Sequence, residues 1–350
     1  MELRELLKKA YDLGGSDIFI VPGAHVTCKV KGDMVALSDD IVKPTGTEEL
    51  VGEAYEMGGR DIAKLRAEGD DDFSFAMPGL SRFRCNAYIQ RGTVAATLRM
   101  VAFGLPDPHE LGVPDLVMEL TKNLNGMILV TGPAGSGKST TLACMIDRIN
   151  TERTGHIVTI EDPIEYIHNH KKSLVSQRDV PNDAPTFARA LRAALREAPD
   201  VILLGEMRDI ESIKIAITAA ETGHLLMSSL HTTGASKTVD RILDTFPAEQ
   251  QAQVRMQLSM VLRAVVSQRL VPKIGGGQVA VFEVMTVNPA VQNLIRDGRT
   301  HQIDNAIFGG AGQGMISMDN ELQRLYRAGV ISKDVALTYA VSPETLSKRL

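Results

Sequence analysis

The chain has 350 residues, of which 44% are apolar and 23% are charged, as in a globular protein of about two domains. Its net charge of −5 argues against a surface devoted to nucleic acid. Three scattered cysteines, Cys28, Cys85 and Cys144, argue against a structural zinc site or a disulfide framework and fit a reducing cytoplasm. The N-terminus lacks a signal peptide's apolar core, and no run reaches the ~18 apolar residues of a membrane span. We therefore expect a cytoplasmic chain with no direct membrane insertion.

Residues 1–104 alternate between helical and strand-like patterns and predict a small α/β domain. A first helix is indicated by apolar residues at helical spacing, namely Leu3, Leu6, Leu7, Ala10 and Tyr11. Two glycines, Gly14 and Gly15, end that helix. A second helix is predicted at 48–57, and strands are predicted at 17–21, 26–30, 73–75, 81–90 and 93–101.

The segment 103–114 holds three prolines and two glycines, which favours a linker, placed here at residues 105–115. Beyond it, residues 116–350 alternate strands with helices, as in a mainly parallel sheet with both faces covered. Strands are predicted at 127–131, 156–161, 201–204 and 225–230, and helices at 138–149, 186–197 and 210–222. The last ~100 residues have a mainly helical pattern, with a hairpin-like break at Gly275, Gly276 and Gly277.

Residues 132–139 follow the pattern G-x-x-x-x-G-K-[ST] between an apolar strand and a helix. The glycines let backbone N–H groups turn toward phosphate oxygens, and the helix N-terminus adds partial positive charge. Lys138 can reach the β- and γ-phosphates, and the Ser139 hydroxyl can ligate Mg²⁺. The motif predicts a binding site for ATP and Mg²⁺ composed of Gly132, Pro133, Ala134, Gly135, Ser136, Gly137, Lys138, Ser139 and Thr140.

Two predicted strands end in carboxylates at the edge where ligands of α/β folds bind. Glu206 follows the apolar strand 201–204 in the Walker B pattern, with a role in holding Mg²⁺ through water or in orienting the attacking water. Glu161 ends the strand 156–161 beside Asp162 and Pro163, and the proline restricts Asp162 to an extended conformation. We expect Glu161 to activate the attacking water.

A histidine stands at each end of the strand-like segment 224–231, about seven residues or ~20 Å apart. His224 and His231 therefore cannot both contact one γ-phosphate. His231, which follows Ser228 and Ser229, is expected near the phosphate, and His224 near a subunit or domain contact. A structural role is the alternative for each histidine.

Three segments after the phosphate loop resemble the secretion and pilus ATPases. The segment 159–166, Thr-Ile-Glu-Asp-Pro-Ile-Glu-Tyr, resembles the family's Asp box. The segment 204–209, Leu-Gly-Glu-Met-Arg-Asp, resembles its Walker B box. The stretch from Ala-Glu-Thr-Gly-His at 220–224 through Leu-His-Thr at 230–232 resembles its His box. Segments 15–19, 30–33 and 288–296 are similar to signatures of the type IV pilus retraction ATPases, the PilT type. The last segment departs from the retraction-associated motif at Val291 and Gln292, and at Asp297 just beyond.

The resemblance spans nearly the whole chain and implies a RecA-like P-loop NTPase core domain with a smaller N-terminal PAS-like α/β domain. It implies a homohexamer that hydrolyses ATP to power pilus retraction and twitching motility. The ring would act on an inner-membrane pilus platform protein and indirectly on pilin, at the inner face of the cytoplasmic membrane. Assembly and type II secretion members usually carry a four-cysteine zinc element, which three cysteines cannot supply.

Three arginines stand in the strand-like segments of the first domain: Arg84, Arg99 and Arg82. Such arginines ordinarily form solvated faces or surface ion pairs. In the family, arginines at matching positions reach the γ-phosphate of a neighbouring subunit. A guanidinium suits that role because it stays charged and binds phosphate oxygens in a bidentate manner.

Other functions remain open from the sequence. The same motor could drive pilus assembly or type II secretion instead of retraction, and the pilus phenotype of a deletion strain distinguishes these directions. A non-hydrolysing accessory ring subunit would bind nucleotide without releasing phosphate. A RecA-like nucleic-acid motor is disfavoured by the acidic charge balance.

Overall fold

The computed structural model describes residues 2–30, 32–101, 104–207 and 209–350, without the side chain of Gln313. Lys31 of the 30–33 signature, Phe103 at the start of the proline-rich segment and Arg208 of the Walker B box lie outside the described residues. Within those ranges, no helix is both long enough and apolar enough to cross a bilayer.

The chain divides into two compact units. The first comprises Met1–Gly104 with Glu165–Ile167, and the second comprises Leu105–Ile164 with His168–Leu350. The proline-rich segment 105–115 is thus grouped with the second unit, and its role as a linker stays a prediction.

The first unit contains a six-stranded antiparallel sheet in the order β3-β2-β1-β6-β5-β4. Its strands are β1 Asp17–Ile20, β2 Thr27–Val30, β3 Asp33–Ala36, β4 Asp70–Met77, β5 Ser81–Gln90 and β6 Thr93–Met100. Its helices are α1 Leu3–Asp12, α2 Pro44–Met57 and α3 Ala63–Glu68. Each predicted element is present; β3 and α3 are additional, and α2 begins four residues before the predicted 48. This architecture is compatible with the predicted PAS-like domain.

Strand β5 shows how the sequence separates the two faces of this sheet. Phe83 and Cys85 are fully buried, whereas Arg84 and Asn86 alternate with them and reach the opposite, more exposed face. Because successive side chains of a strand point to opposite faces, Phe83, Cys85 and Ala87 of β5 pack together in the apolar core. The arginines are thereby placed on the open face.

The second unit contains a seven-stranded sheet in the order β13-β12-β7-β11-β10-β8-β9, parallel except for the antiparallel pair β12 and β13. Its strands are β7 Gly126–Thr131, β8 His156–Glu161, β9 Leu174–Asp179, β10 Val201–Leu204, β11 Leu225–Leu230, β12 Leu262–Pro272 and β13 Gln278–Thr286. Strands β8, β10 and β11 match the predicted bounds, and β7 begins one residue earlier.

Helices cover both faces of this sheet. They are α4 Asp115–Glu119, α5 Lys138–Glu152, α6 Phe187–Ala194, α7 Ile210–Glu221, α8 Ala235–Asp244, α9 Ala248–Val261, α10 Pro289–Arg296, α11 Ile303–Gly309, α12 Met318–Arg327, α13 Lys333–Tyr339 and α14 Pro343–Ser347. Alternate residues of β7 enter different cores: Leu129 packs in one and Ile128 and Val130 in the other. Burial on both faces explains why this strand is apolar throughout.

The prediction for the C-terminal region was wrong in one respect. Residues 262–286 form the strands β12 and β13, paired in register across the glycine turn rather than continuing the helical pattern. Val265 and Val266 are both fully buried, so β12 lacks the alternation by which an amphipathic strand is recognised. Strand β9 was also missed.

Candidate nucleotide site

The strand register brings the predicted site residues of the second unit to one edge of the sheet. Ser228 of β11 lies beside Leu204 of β10, and Leu204 lies beside Ile160 of β8. On the other side, Leu230 of β11 lies beside Thr131 of β7. Since these strands are parallel, the phosphate loop, His231, Glu206 and Glu161 all follow strand ends at the same edge.

The phosphate loop depends on glycine where its backbone contacts β12. Gly132, Gly135 and Gly137 have φ values of +150°, +73° and +87°. A Cβ atom at Gly132 would lie 2.1 Å from the backbone oxygen of Gln268, and one at Gly137 would lie 2.9 Å from its side-chain nitrogen. The contact at Gly132 is with backbone, so the loop can lie against β12 there only with glycine, whereas at Gly137 it is the positive φ that favours glycine.

The polar groups of the loop are arranged to receive an anion. Lys138 is 7% exposed, and its Nζ donates to the carbonyl oxygen of Pro133 at 3.0 Å. Ser136 is 2% exposed, and its hydroxyl has no hydrogen-bond partner among the described residues. A buried hydroxyl without a partner is costly unless a ligand completes it. Helix α5 begins at Lys138, so its N-terminus adds partial positive charge to the loop.

The Walker B acid lies close to the predicted histidine. The Glu206 side chain is 12% exposed, and its Oε2 lies 3.6 Å from Nε2 of His231. The Ser229 hydroxyl donates to the carbonyl oxygen of Gly205 at 2.6 Å, which fixes the turn carrying Glu206 to β11. Glu206, Ser229, His231 and Arg241 all line a cavity of about 390 Å³.

Glu161 is oriented by neighbours on two strands. Its Oε1 accepts a hydrogen bond from the Thr159 hydroxyl at 2.6 Å and from the Gln177 amide at 3.3 Å. A Cβ atom at Gly205 would lie 3.3 Å from the Cα of Glu161, so the two acid-bearing strand ends adjoin closely. Sequence reasoning missed Gln177 because it lies on β9, a strand that the pattern did not predict.

The oxygen groups at this edge fit Mg²⁺. Ser139 stands in the first turn of α5, directly after Lys138 of the phosphate loop, and Glu206 supplies a carboxylate at the same sheet edge. Hydroxyl, carboxylate and phosphate oxygens are the ligands that Mg²⁺ takes in nucleotide sites.

His224 is not brought to this edge. It precedes β11, and its carbonyl oxygen accepts from the N–H of Gly126, the first residue of β7. Its Nδ1 lies 3.0 Å from the carbonyl oxygen of Ala219 and 3.2 Å from the Thr222 hydroxyl, at the end of α7. These contacts place it at the amino ends of the strands, away from the phosphate loop of the same chain.

The arginines of the first unit share the open face of their sheet. Arg84 and Arg99 lie directly opposite each other in the β5–β6 register. They line a cavity of about 330 Å³ together with Asp17, Asp72, Asn86 and Thr97. Arg82 lies two residues before Arg84 on β5, opposite Ala76 of β4.

Arg84 and Arg99 each have a carboxylate partner that the sequence did not reveal. Nε of Arg99 lies 2.8 Å from Asp17 Oδ1, and Nε of Arg84 lies 3.8 Å from Asp72 Oδ1. Burial acts to raise the pKa of Asp17, but hydrogen bonds from Arg99 and Ser16 hold it below its usual value. Asp17 is therefore charged at neutral pH and fixes the guanidinium of Arg99.

The altered C-terminal motif forms helix α10 and the residues after it. The Asn288 side chain caps the helix by accepting from the Val291 N–H at 3.0 Å. Val291 is fully buried, Gln292 is partly exposed, and Asp297 pairs with Arg299 at 2.7 Å. Two of the three residues that depart from the motif therefore have a defined local environment: Val291 is buried on the capped helix, and Asp297 forms an ion pair with Arg299.

Comparison with known proteins identifies close relatives. The family model described as type II/IV secretion system protein matches residues 2–277. The chain is 44% identical over 345 residues to the type IV pilus retraction ATPase PilT of Pseudomonas aeruginosa, covering 98% of this chain and 99% of that one. It is 50% identical over 277 residues to a twitching motility protein of Neisseria gonorrhoeae, covering 79% of this chain and 74% of that protein. A crystal structure of the pilus retraction motor PilT with bound ADP matches with a TM-score of 0.90 at 45% identity, covering 99% of each chain.

Proposed function

The chain belongs to the type II/IV secretion system protein family of ATPases, and on that premise we propose that it is the ATP-hydrolysing motor of type IV pilus retraction. The observation that supports this most directly is the shared sheet edge of the phosphate loop, Glu206, Glu161 and His231. A nucleotide-binding loop alone requires no acids beside it. Two oriented carboxylates at the same edge favour hydrolysis over mere binding.

Each residue of the second unit has a role in this proposal. The loop amides and Lys138 would bind the phosphates, and Ser139 and Glu206 would hold Mg²⁺, whose positive charge would offset that of the phosphate oxygens. Glu161 accepts a proton from the attacking water, and its contacts with Thr159 and Gln177 hold it in place. His231 is coupled to the nucleotide through Glu206, whose Oε2 lies 3.6 Å from the histidine Nε2.

The first unit completes the site of another subunit. Arg84 and Arg99 lie on an open sheet face, and the Arg99 side chain is 72% exposed. We assign to them, with Arg82 in support, the binding of a neighbour's γ-phosphate. An arginine supplied from another subunit makes turnover depend on assembly, which is a physical reason for a closed homohexamer.

Sequential hydrolysis around that ring would act on an inner-membrane platform protein and through it on pilin, with the ring peripheral at the cytoplasmic face of the membrane. No direct contact with nucleic acid and no insertion into the bilayer are part of this function. His224 is assigned to a subunit or domain contact.

Two experiments test this function. The purified chain should release phosphate from ATP only with Mg²⁺, and a ring that binds ATP without releasing phosphate would instead support an accessory subunit. A deletion strain should be hyperpiliated and lack twitching motility, as should a strain with Lys138→Ala. Loss of pili in both strains would show an assembly or secretion ATPase.

A further inference from the structure

A buried glutamate far along the chain from the phosphate loop joins two helices at their N-termini. Glu283 lies on β13 and is 5% exposed. Its Oε1 accepts from the N–H of Ala235 at 2.9 Å, and the carboxylate also accepts from the N–H of Met318. Ala235 begins α8 and Met318 begins α12, so a single carboxylate accepts from the first residue of each helix.

Helix α8 depends on this distant acceptor. Its N-terminal capping position is Gly234, which has no side chain to accept from the free N–H groups of the first turn. A carboxylate at a helix N-terminus satisfies those donors and interacts favourably with the helix dipole. Glu283 of β13 therefore supplies the hydrogen-bond acceptor that the local sequence of α8 lacks at its N-terminus.

The same contact extends to the phosphate loop through the partner strand. Ser267 of β12 lies opposite Glu283 in register. Its hydroxyl accepts from the N–H of Gly234 at 3.0 Å and lies 2.6 Å from the hydroxyl of Thr131. Thr131 immediately precedes Gly132, and both it and Ser267 are buried. Two adjacent backbone N–H groups, at Gly234 and Ala235, are thus held by side chains of the β12–β13 pair.

These contacts fix one end of the segment 231–234. Its other end carries His231, which follows β11 and lies 3.6 Å from Glu206. Within the segment, the hydroxyls of Thr232 and Thr238 lie 2.8 Å apart, and Thr238 also donates to the carbonyl oxygen of Gly234 at 2.8 Å. The position of His231 relative to Glu206 is therefore set by a segment whose far end depends on Glu283.

We propose that Glu283 is a positioning residue for ATP hydrolysis, which holds the segment 231–234 beside the phosphate loop and couples it to helix α12. The proposal rests on the proposed ATPase function and deepens it. Because α8, α12 and the Thr131 end of β7 all contact the Ser267–Glu283 pair, a displacement of α12 would be transmitted to the segment 231–234 through hydrogen bonds. The C-terminal helices would then act on the rate of hydrolysis and leave the affinity for nucleotide nearly unchanged.

The surroundings of Glu283 indicate that a carboxylate at this position has a specific role. Burial raises the pKa of Glu283 to about 7, a cost that an apolar residue in this core would not have. Its charged neighbours come from several elements: Arg269 from β12, Asp304 from α11, Lys237 from α8 and Asp319 from α12. Among the described residues, the hydrogen bonds to its carboxylate come from the backbone N–H groups of Ala235 and Met318 at helix N-termini, and not from these charged side chains.

Steady-state kinetics of Glu283→Gln and Ser267→Ala test the proposal, with wild type measured first. We expect Glu283→Gln to lower kcat about tenfold and Ser267→Ala about threefold, each with the dissociation constant for ADP within about twofold of wild type. Since both act on Gly234 and Ala235, the double variant should lose less than the product of the two factors. Wild type without Mg²⁺-dependent hydrolysis would refute the ATPase function itself, which is a separate failure.

The matched control is Val281→Ala, which removes a fully buried apolar side chain from β13, two residues from Glu283. It should lower thermal stability and leave kcat within about twofold, because it removes packing without removing an acceptor. The proposal is overturned if Glu283→Gln leaves kcat unchanged, if Val281→Ala lowers kcat equally, or if the losses multiply. Ser267→Ala, which deletes one hydroxyl, retains the test should Glu283→Gln fail to fold.

Discussion

The cations that we assign to phosphate binding differ in exposure between the two units. In the second unit, Lys138 is 7% exposed and its own loop encloses it. In the first unit, the side chains of Arg84 and Arg99 are 41% and 72% exposed on an open sheet face, each beside a carboxylate of the same chain. A cation that binds the nucleotide of its own chain can be buried, whereas one that binds the nucleotide of a neighbouring subunit must remain exposed and be oriented by its own chain. Under the proposed function, this difference in exposure distinguishes the residue assigned to binding nucleotide in its own chain from those assigned to completing the site of a neighbouring subunit.

The largest effect is expected at the enclosed cation. Lys138→Ala should lower ATP hydrolysis by about a thousandfold or more and weaken ATP binding, because the β- and γ-phosphates lose their only lysine from the motif. Phosphate release and a nucleotide-binding assay measure the two effects. Lys171→Ala is the matched control, since Lys171 forms a surface ion pair with Asp147 at 2.7 Å. Equal losses in both variants would mean that the enclosed lysine has no special role.

A smaller but still large effect is expected at the open face. Arg84→Ala should lower kcat by about a hundredfold to a thousandfold while ATP stays bound, because the arginine stabilises charge that develops in the transition state. Arg66→Ala is the control, since Arg66 pairs with Glu48 at the surface of the same unit at 2.7 Å. Full activity of Arg84→Ala would contradict the assignment of Arg84 to the γ-phosphate of a neighbouring subunit.

The acid that holds Arg99 should matter less. Asp17→Asn keeps the shape of the side chain but removes the charge 2.8 Å from Nε of Arg99. We expect kcat to fall about threefold, with thermal stability nearly unchanged, because an exposed ion pair adds less than about 1 kcal/mol. A variant with higher kcat than wild type would show that Asp17 restrains Arg99 from acting instead of positioning it.

The last prediction concerns stability and not turnover, and it follows from the opposite pKa shifts of two carboxylates, one in each unit. The pKa of Asp17 is lowered, whereas burial raises the pKa of Glu283 from 4.5 to about 7. A raised carboxyl pKa contributes stability below pH 4.5 that is lost as the pH rises through 7. Denaturant unfolding should show wild type losing on the order of 3 kcal/mol relative to Glu283→Gln across this range. If the difference in unfolding free energy between wild type and Glu283→Gln does not change with pH, the raised pKa of Glu283 is contradicted.

The sequence predicted what depends on local spacing. The glycine pattern of 132–139 and the alternating burial of 81–90 are local, and the strand of 81–90 was confirmed at its predicted bounds. Side-chain partnerships across the sheets could not be predicted in this way. Asp17 and Arg99 are 82 residues apart, and Thr131 and Ser267 are 136 apart. Such pairs depend on strand order, and the unpredicted β9 and β12 carry Gln177 and Ser267.

Mixing two inactive variants tests the central claim, that one subunit completes the nucleotide site of another. Neither Arg84→Ala nor Lys138→Ala should hydrolyse ATP at an appreciable rate alone. In mixed rings with random subunit order, about a quarter of the interfaces would combine an intact arginine face with an intact phosphate loop. Phosphate release should therefore recover measurably after the variants are mixed and allowed to exchange subunits. If exchange is demonstrated and activity stays at the level of the separate variants, Arg84 does not act on the nucleotide of a neighbouring subunit.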